Sequence, residues 1–288
     1  MDAVSGATQP GQSVVGSVAS DYALLDQPWP RTADLEAEAV FTLVRWANNL
    51  SYGVANVAPP GTQQVLLVPT LRPEAATDAR VLEAVVRLCA EVWPGPSVLI
   101  GIPGQGPIPA AYVALMGAVS GEADVDLVAL GDEPLRPLPA MPGLTGQTCQ
   151  VPEPVALADA VVVVPALWRD AAGTFHGALD AVAALSPVPL SSDSARVDWL
   201  SAVDPLYVFA DALRPHVAGE VMALNTVLAS DDPCALDLAA AQLLGAGPTA
   251  VPALLLSARH ELGQAAWRDV AVNGVPIPKL GKRAGSGR

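Results

Sequence analysis

The sequence predicts an α/β fold: a mostly parallel (mixed) sheet with helices packed on it. Three observations carry this. Apolar runs of strand length, QVLLVPT (64–70), SVLIGI (97–102) and VVVV (161–164), recur along the chain. They are rich in Val, Ile and Leu without polar alternation, as strands buried on both faces are. Segments of helical periodicity separate them, and a strand–helix–strand order within about 40 residues implies parallel neighbours.

Taken in order, residues 1–13 are small and polar and read as a loose arm, with the arm as a whole extending over 1–33. Asp34 stands where it would cap a helix over 35–47, whose apolar positions Leu35, Ala39, Leu43 and Trp46 recur at helical spacing. A connector with Asn-Asn and Pro-Pro leads to the strand 64–70. Thr77 is placed to cap a helix reaching Trp93, with Leu82, Val85, Val86, Cys89 and Val92 inward, before the strand 97–102. The glycine-rich turn PGQGPIP (103–109) precedes a helix over 110–119. Bare N–H groups at Gly104 and Gly106 suit an anion, although the turn matches no phosphate-binding motif and suits a plain rigid loop equally. DVDLVALG (124–131) is a further strand, and the Pro- and Gly-rich 132–154 reads as a surface excursion. After VVVV, Pro165 ends the strand and a loop and helix are expected across ALWRDAAGTFHGALDAVAAL. Residues 186–194 read as a linker, and 196–217 as helical turns with a possible strand at LYVFA.

The stretch TVLASDDPCALDLAAAQLLGAG (226–247) is the strongest local signal. Val227, Leu228 and Ala229 are apolar enough for a buried strand end. Asp232 precedes Pro233, so the pair reads as N-cap and first helical residue. The following helix is nearly all apolar or alanine and should be buried on most sides, with Gly245 as its stop. Asp237 interrupts it. A lone carboxylate there needs a partner: either a structural tie to a neighbouring backbone or arginine, or a site shared with Asp231 and Asp232.

Composition narrows the function. With 29 acidic against 15 basic residues the net charge is −14, which disfavours nucleic acid and an anionic membrane surface as partners. The only lysines, Lys279 and Lys282, lie in a basic tail over 279–288, so the body of the chain offers no Schiff-base lysine. Cys89, Cys149 and Cys234 are far apart, and no C-x-x-C occurs, which argues against a cysteine-held cluster and for a reducing compartment. No signal-peptide pattern opens the chain and no apolar run is long enough to span a bilayer, so a cytoplasmic protein is expected. No G-x-S-x-G or H-E-x-x-H occurs. An oxygen-ligand metal site at Asp231, Asp232 and Asp237 is disfavoured because helix capping already explains Asp232; neither metal nor cofactor is expected.

LASDDPCALDLAAAQLLG followed by VPALLLSARHELGQAAWRDVAVNG resembles the C-terminal part of the domain-of-unknown-function 362 family, with its D-P-x-A-x-D helix, second helix and short strand closing on Gly. Asp232, Pro233, Ala235, Asp237, Gly245, Gly263 and Gly274 fall on that pattern. The resemblance extends upstream, over about 34–278, as a single α/β domain. VLLVPTLRP stands where the family has a strand ending in Lys-Pro-Asn, VVVVPALWRD where it has Pro-Lys-x-Lys-Thr-His, and FHGALDA where it has Gly-Ala-Leu-Lys-Asn. Some members carry a ferredoxin-type iron–sulfur module, which has no counterpart here. Against the family pattern, Val68 and Thr70 replace Lys and Asn. Ala166 and Trp168 replace two lysines, Arg169 and Asp170 replace Thr-His, and Asp180 and Ala181 replace Lys-Asn. The resemblance implies that these positions lie at strand carboxyl ends, where open α/β sheets bind ligands. The mouth of the sheet should then have turned neutral to negative.

Two functions follow as expectations. One is a divergent member that has lost an ancestral anion site and serves as a binding or regulatory protein for an unknown small molecule or protein partner, with a homo-oligomer as one form it could take. The other is an enzyme acting on a small neutral or cationic molecule through His176, Asp170 and Asp180. Arg169 could restore lost positive charge or pair at the surface. Trp168 could line a pocket or pack as core, and His176 could equally be an ordinary part-buried histidine. His216 and His260 read as structural.

Overall fold

The structure is a computed structural model, and it describes residues 12–19, 33–93, 95–104, 108–119, 124–140 and 148–277. In chain order the strands are β1 (Ser13–Ala19), β2 (Gln64–Pro69), β3 (Ser97–Ile102), β4 (Asp124–Ala129), β5 (Leu135–Pro139), β6 (Thr148–Pro152), β7 (Ala160–Val164), β8 (Ala166–Arg169), β9 (Phe175–His176), β10 (Tyr207–Val217), β11 (Glu220–Val221), β12 (Thr226–Ser230) and β13 (Val270–Gly274). The α-helices are α1 (Ala33–Leu50), α2 (Val54–Val57), α3 (Ala79–Val92), α4 (Ala110–Val119), α5 (Glu153–Leu157), α6 (Ala178–Ala183), α7 (Asp193–Val203), α8 (Pro233–Leu243) and α9 (Leu254–Arg259).

Eleven strands form one sheet with the central order β13-β1-β12-β10-β7-β2-β3-β4. β10, β7, β2, β3 and β4 run parallel, and β12 turns the direction by pairing antiparallel with both β10 and β1. The middle strands are buried on both faces. In β2, Val65 and Leu67 face one core with α1 and α3, whereas Leu66 and Val68 face the other with α6 and α8. A strand so placed must be apolar at every position, which is why the sequence shows continuous runs.

The expected α/β class and the βαβ unit over 64–102 are present, and several local readings need correction. Ser13–Ala19, inside the segment expected as an arm, is a strand between β12 and β13. Its Val14, Val15 and Val18 are buried, which a short segment following a polar stretch did not advertise. Residue 34 lies one position inside α1, which starts at Ala33, and Trp46 is 48% exposed while Val40, Val44 and Ala47 take the inward positions. Asp78, not Thr77, caps α3 by accepting from the Arg80 amide; the Thr77 hydroxyl donates to the Val164 carbonyl instead, tying the segment before α3 to the end of β7. The Pro- and Gly-rich excursion contains a two-stranded ribbon of β5 and β6. After Pro165 the chain forms the hairpin β8–β9 before α6. LYVFA opens an eleven-residue strand. Gly106 and the 279–288 tail lie outside the described residues.

Candidate functional site

The carboxyl ends of β2 and β7 open onto one edge of the sheet, and most of the side chains expected there do meet. β8 continues from β7 and pairs with β10 on one side and β9 on the other, with His216 opposite Trp168 and Trp168 opposite His176. The Trp168 indole stacks on the His176 imidazole, centroids 3.8 Å apart and planes 8° from parallel. The turn between β8 and β9 is closed by Asp170, whose carboxylate accepts from the Thr174 amide at 2.8 Å. Its other oxygen lies 3.7 Å from His176 Nε2. On the far side of the ring, Asp180 from the first turn of α6 places an oxygen 3.4 Å from His176 Nδ1.

Two arginines complete the cluster. Arg72, just beyond β2, lies 3.1 Å from Asp180 Oδ2, and Arg196 of α7 lies 3.2 Å from Oδ1. Burial opposes ionisation of Asp180, yet His176, Arg72 and Arg196 hold its carboxyl below the usual range. Asp170 is likewise lowered: desolvation opposes, and the Thr174 amide and His176 outweigh it. Both ring nitrogens of His176 are buried, and neither makes a well-formed hydrogen bond. The imidazole is therefore clasped between carboxylates, with no nitrogen turned to a cavity. Arg169 does not join the cluster; it donates to the Gly245 carbonyl at 2.9 Å, a cation at the negative end of α8. The mouth was expected to be neutral to negative, and the charges brought together here are balanced. An aspartate does stand where the family pattern has a lysine, but arginines from a loop and from α7 compensate it.

Next to this cluster, between the start of α3 and the strands β8 and β10, lies a cleft of about 320 Å³. Its floor is Asp211, 5% exposed, which accepts from the Asp78 amide at 2.7 Å and the Leu213 amide at 2.9 Å. Burial pushes its carboxyl up to about 6. Arg214 and His216 stand at its wall.

The remaining expected ligand residues are elsewhere. Asp231 and Asp232 follow β12, which is antiparallel to β10, with Ser230 beside Val208. They thus face the opposite end of the sheet, in a cleft with Asp204 and Glu261. Asp232 is saturated: it accepts from Cys234, Ala235 and Gln264 amides and from the Ser13 hydroxyl. Burial raises the Asp231 carboxyl, helped by Asp232. Asp237 belongs to neither place; it accepts from the Ala178 and Leu179 amides at the start of α6. Gly104, with positive φ, accepts from the Gly131 amide and joins the ends of β3 and β4. Among the described residues no three His, Cys, Asp or Glu side chains converge as metal ligands.

Sequence reasoning missed Arg72, Arg196 and Asp211. Arg72 could have been found, since it is the first cation after a buried strand. Asp211 could have been found too, as a lone carboxylate within the apolar run YVFADAL, by the argument already applied to Asp237. Arg196 carries no such signal, because a helix surface arginine is ordinary.

This is an α/β scaffold with a charged cluster and a cleft at the parallel strand ends. The chain belongs to the family described as domain of unknown function (DUF362), whose model matches residues 65–242. Among solved structures it is similar to the lactate racemase apoprotein from Thermoanaerobacterium thermosaccharolyticum, at 12% identity and a TM-score of 0.44 over 70% of this chain. The chain spans about half of that structure's length, 54%. No curated protein matches it. No helix among the described residues is long and apolar enough to cross a membrane.

Proposed function

We propose that this chain is a non-catalytic member of its family that binds a small molecule at the mouth of the sheet and acts as a binding or regulatory protein. One observation carries the reading: both nitrogens of His176 face the carboxylates of Asp170 and Asp180 and are buried. A general base must reach the substrate proton within about 3 Å, and an imidazole clasped on both sides has no nitrogen left for that. Arg72 and Arg196 are engaged by Asp180 in the same way, so the cluster is a compensated brace and not an open anion site. The net charge of −14 supports a small-molecule or protein partner over nucleic acid or an anionic membrane. Self-association remains part of this reading, and light scattering on a gel-filtered sample tests it.

The convergence of Asp170, His176 and Asp180 favours a second reading, an acid–base enzyme acting on a small neutral or cationic molecule. The two separate cleanly. The purified protein is incubated with a defined mixture of amino acids, hydroxy acids and amines, followed by mass spectrometry and chiral chromatography. The binding reading expects no change in composition. Consumption or inversion of any component that disappears in His176→Gln overturns it.

A further inference from the structure

We propose that the cleft between α3, β8 and β10 is a binding site for a free α-amino acid with an apolar side chain, its ammonium group held at Asp211 and its carboxylate at Arg214. This rests on the binding reading above and names the ligand class for it.

The argument begins with the two charges that the cleft leaves incomplete. A carboxylate offers about four lone-pair positions, and Asp211 uses one on each oxygen, toward the Asp78 and Leu213 amides. Among the described residues no cation pairs with it directly, because the adjacent Arg80 is engaged by Asp78 and Glu36. A buried carboxylate without a counter-ion is costly, and a ligand ammonium would supply the missing charge and donors. Arg214 is the mirror case. It lines the same cleft, is exposed, and makes no hydrogen bond or ion pair among the described residues; the charge nearest it in the cleft is Asp78, which is already held by Arg80. A guanidinium is suited to a carboxylate, which it can hold through two parallel bonds. One small molecule that carries both complementary groups on neighbouring atoms is an α-amino acid.

The rest of the wall decides the side chain. Ala166, Leu167 and Val221 face the cleft, and Ala75 and Ala76 close it beside them. These five offer no side-chain hydrogen bond; beyond Asp211 and Arg214, the polar remainder of the lining is Asp78, whose carboxylate is taken up by Arg80, and His216. The volume, about 320 Å³, lies at the low end of ligand pockets, which span about 300–1,000 Å³. It suits a single amino acid and excludes a nucleotide or an extended peptide. The site lies at the carboxyl ends of parallel strands, the usual ligand position in open α/β sheets. It is separate from the His176 cluster, whose charged groups face one another.

Thermal melting tests this with three probes of one carbon skeleton: L-leucine, 4-methylpentanoate, which lacks the ammonium, and 3-methylbutylamine, which lacks the carboxylate. L-Valine and L-phenylalanine are run beside them. At about a hundredfold excess over Kd, a specific ligand raises Tm by roughly 4 °C. The expected result is a rise with at least one of the three amino acids and none with the two half-ligands. Arg214→Gln, at an exposed position, should melt as the wild type does and lose the shift; Asp211→Asn should lose it as well. The proposal is overturned if none of the amino acids shifts Tm, if 4-methylpentanoate or the amine alone shifts it equally, or if the shift survives in Arg214→Gln. Chiral chromatography of the same samples keeps the two readings apart. A bound amino acid that is converted would refute the non-catalytic reading and leave the site standing. An absent shift would refute the site and leave the non-catalytic reading untouched.

Discussion

The carboxylate of Asp237, buried in the middle of α8, accepts a hydrogen bond of 2.7 Å from the amide of Ala178, the first residue of α6. A second bond of 2.9 Å comes from Leu179. A helix start leaves its first amides without partners inside the helix, and α6 takes its cap from another helix because Gly177, at its own N-cap position, has no side chain to offer. Gly177 is required for the same reason: a Cβ there would run into Asp237 and the Phe175 ring. Replacing Asp237 with Ala leaves two buried donors unsatisfied and should destabilise the protein by about 2–4 kcal/mol, read from urea unfolding midpoints. A loss below about 0.5 kcal/mol would mean that α6 does not depend on this cap.

The same carboxylate gives a pH signature. Burial, the largest influence, pushes Asp237 up to about 7, against the two amides that favour its charged form. An unfolded aspartate titrates near about 3.9. Between these values the folded state holds the proton more tightly, so this group makes stability fall as pH rises from about 4 to about 7. Asp237→Asn, which is neutral throughout, should flatten that limb by up to about 4 kcal/mol. Unfolding curves collected at a series of pH values would show the two proteins converging toward the acid side and separating toward neutrality. Parallel curves would refute the assignment.

How much of this was legible beforehand follows from the range of each interaction. The cap at Asp232, the buried helix after it and the stop at Gly245 depend on neighbours in sequence, and all three were readable. The parallel core strands were equally legible, since burial on both faces demands a continuous apolar run. β1 was not, because its strand character comes from insertion between β12 and β13, which are more than 200 residues away along the chain. Nor was the β8–β9 hairpin, whose Trp168 and His176 pairing is a tertiary stack across a turn that looked like an ordinary loop.

Among site residues, His176, Asp170 and Asp180 were named together from one segment, and they do lie together. Grouping Asp231 and Asp232 with Asp237 relied on sequence proximity, yet one helical turn separates their surroundings: Asp232 caps α8, whereas Asp237 accepts from the first amides of α6. The charge compensation at Asp180 was invisible because Arg72 and Arg196 reach it from two other parts of the chain. Reading the mouth from the positions that the resemblance singled out missed the arginines.

Asp232 joins distant segments as well as capping α8. It accepts from the Ser13 hydroxyl at 2.5 Å and from the Gln264 amide at 2.8 Å, which ties β1 and the segment before β13 to the helix start. An N-cap aspartate is worth about 0.5–2 kcal/mol. Asp232→Ala should exceed that range, because two long-range bonds go with the cap. Ser13→Ala isolates the β1 tie and should cost about 1 kcal/mol. Hydrogen exchange across residues 13–19 supplies the local readout: faster exchange in Asp232→Ala is expected there, whereas unchanged protection would show that β1 is held by its strand neighbours alone.

The Asp180 cluster should govern the acid limb of stability. Its folded carboxyl lies below the unfolded value of about 3.9, held there by His176, Arg72 and Arg196 against the cost of burial. A group lowered in this way contributes stability that is complete above the unfolded value and is lost as pH falls through the folded one. Asp180→Asn should therefore be less stable than wild type at neutral pH, by on the order of 2 kcal/mol since Asp180 is buried and paired with cations. The difference should begin to shrink below about pH 4, as the unfolded state takes up the proton, and close as pH falls through the lower folded value. Arg72 is partly exposed, so Arg72→Gln removes a partner that solvent already screens and should cost less than about 1 kcal/mol. If Arg72→Gln proves as damaging as Asp180→Asn, the arginine is not a peripheral partner but the centre of the brace, and the compensation argument has to be rebuilt around it.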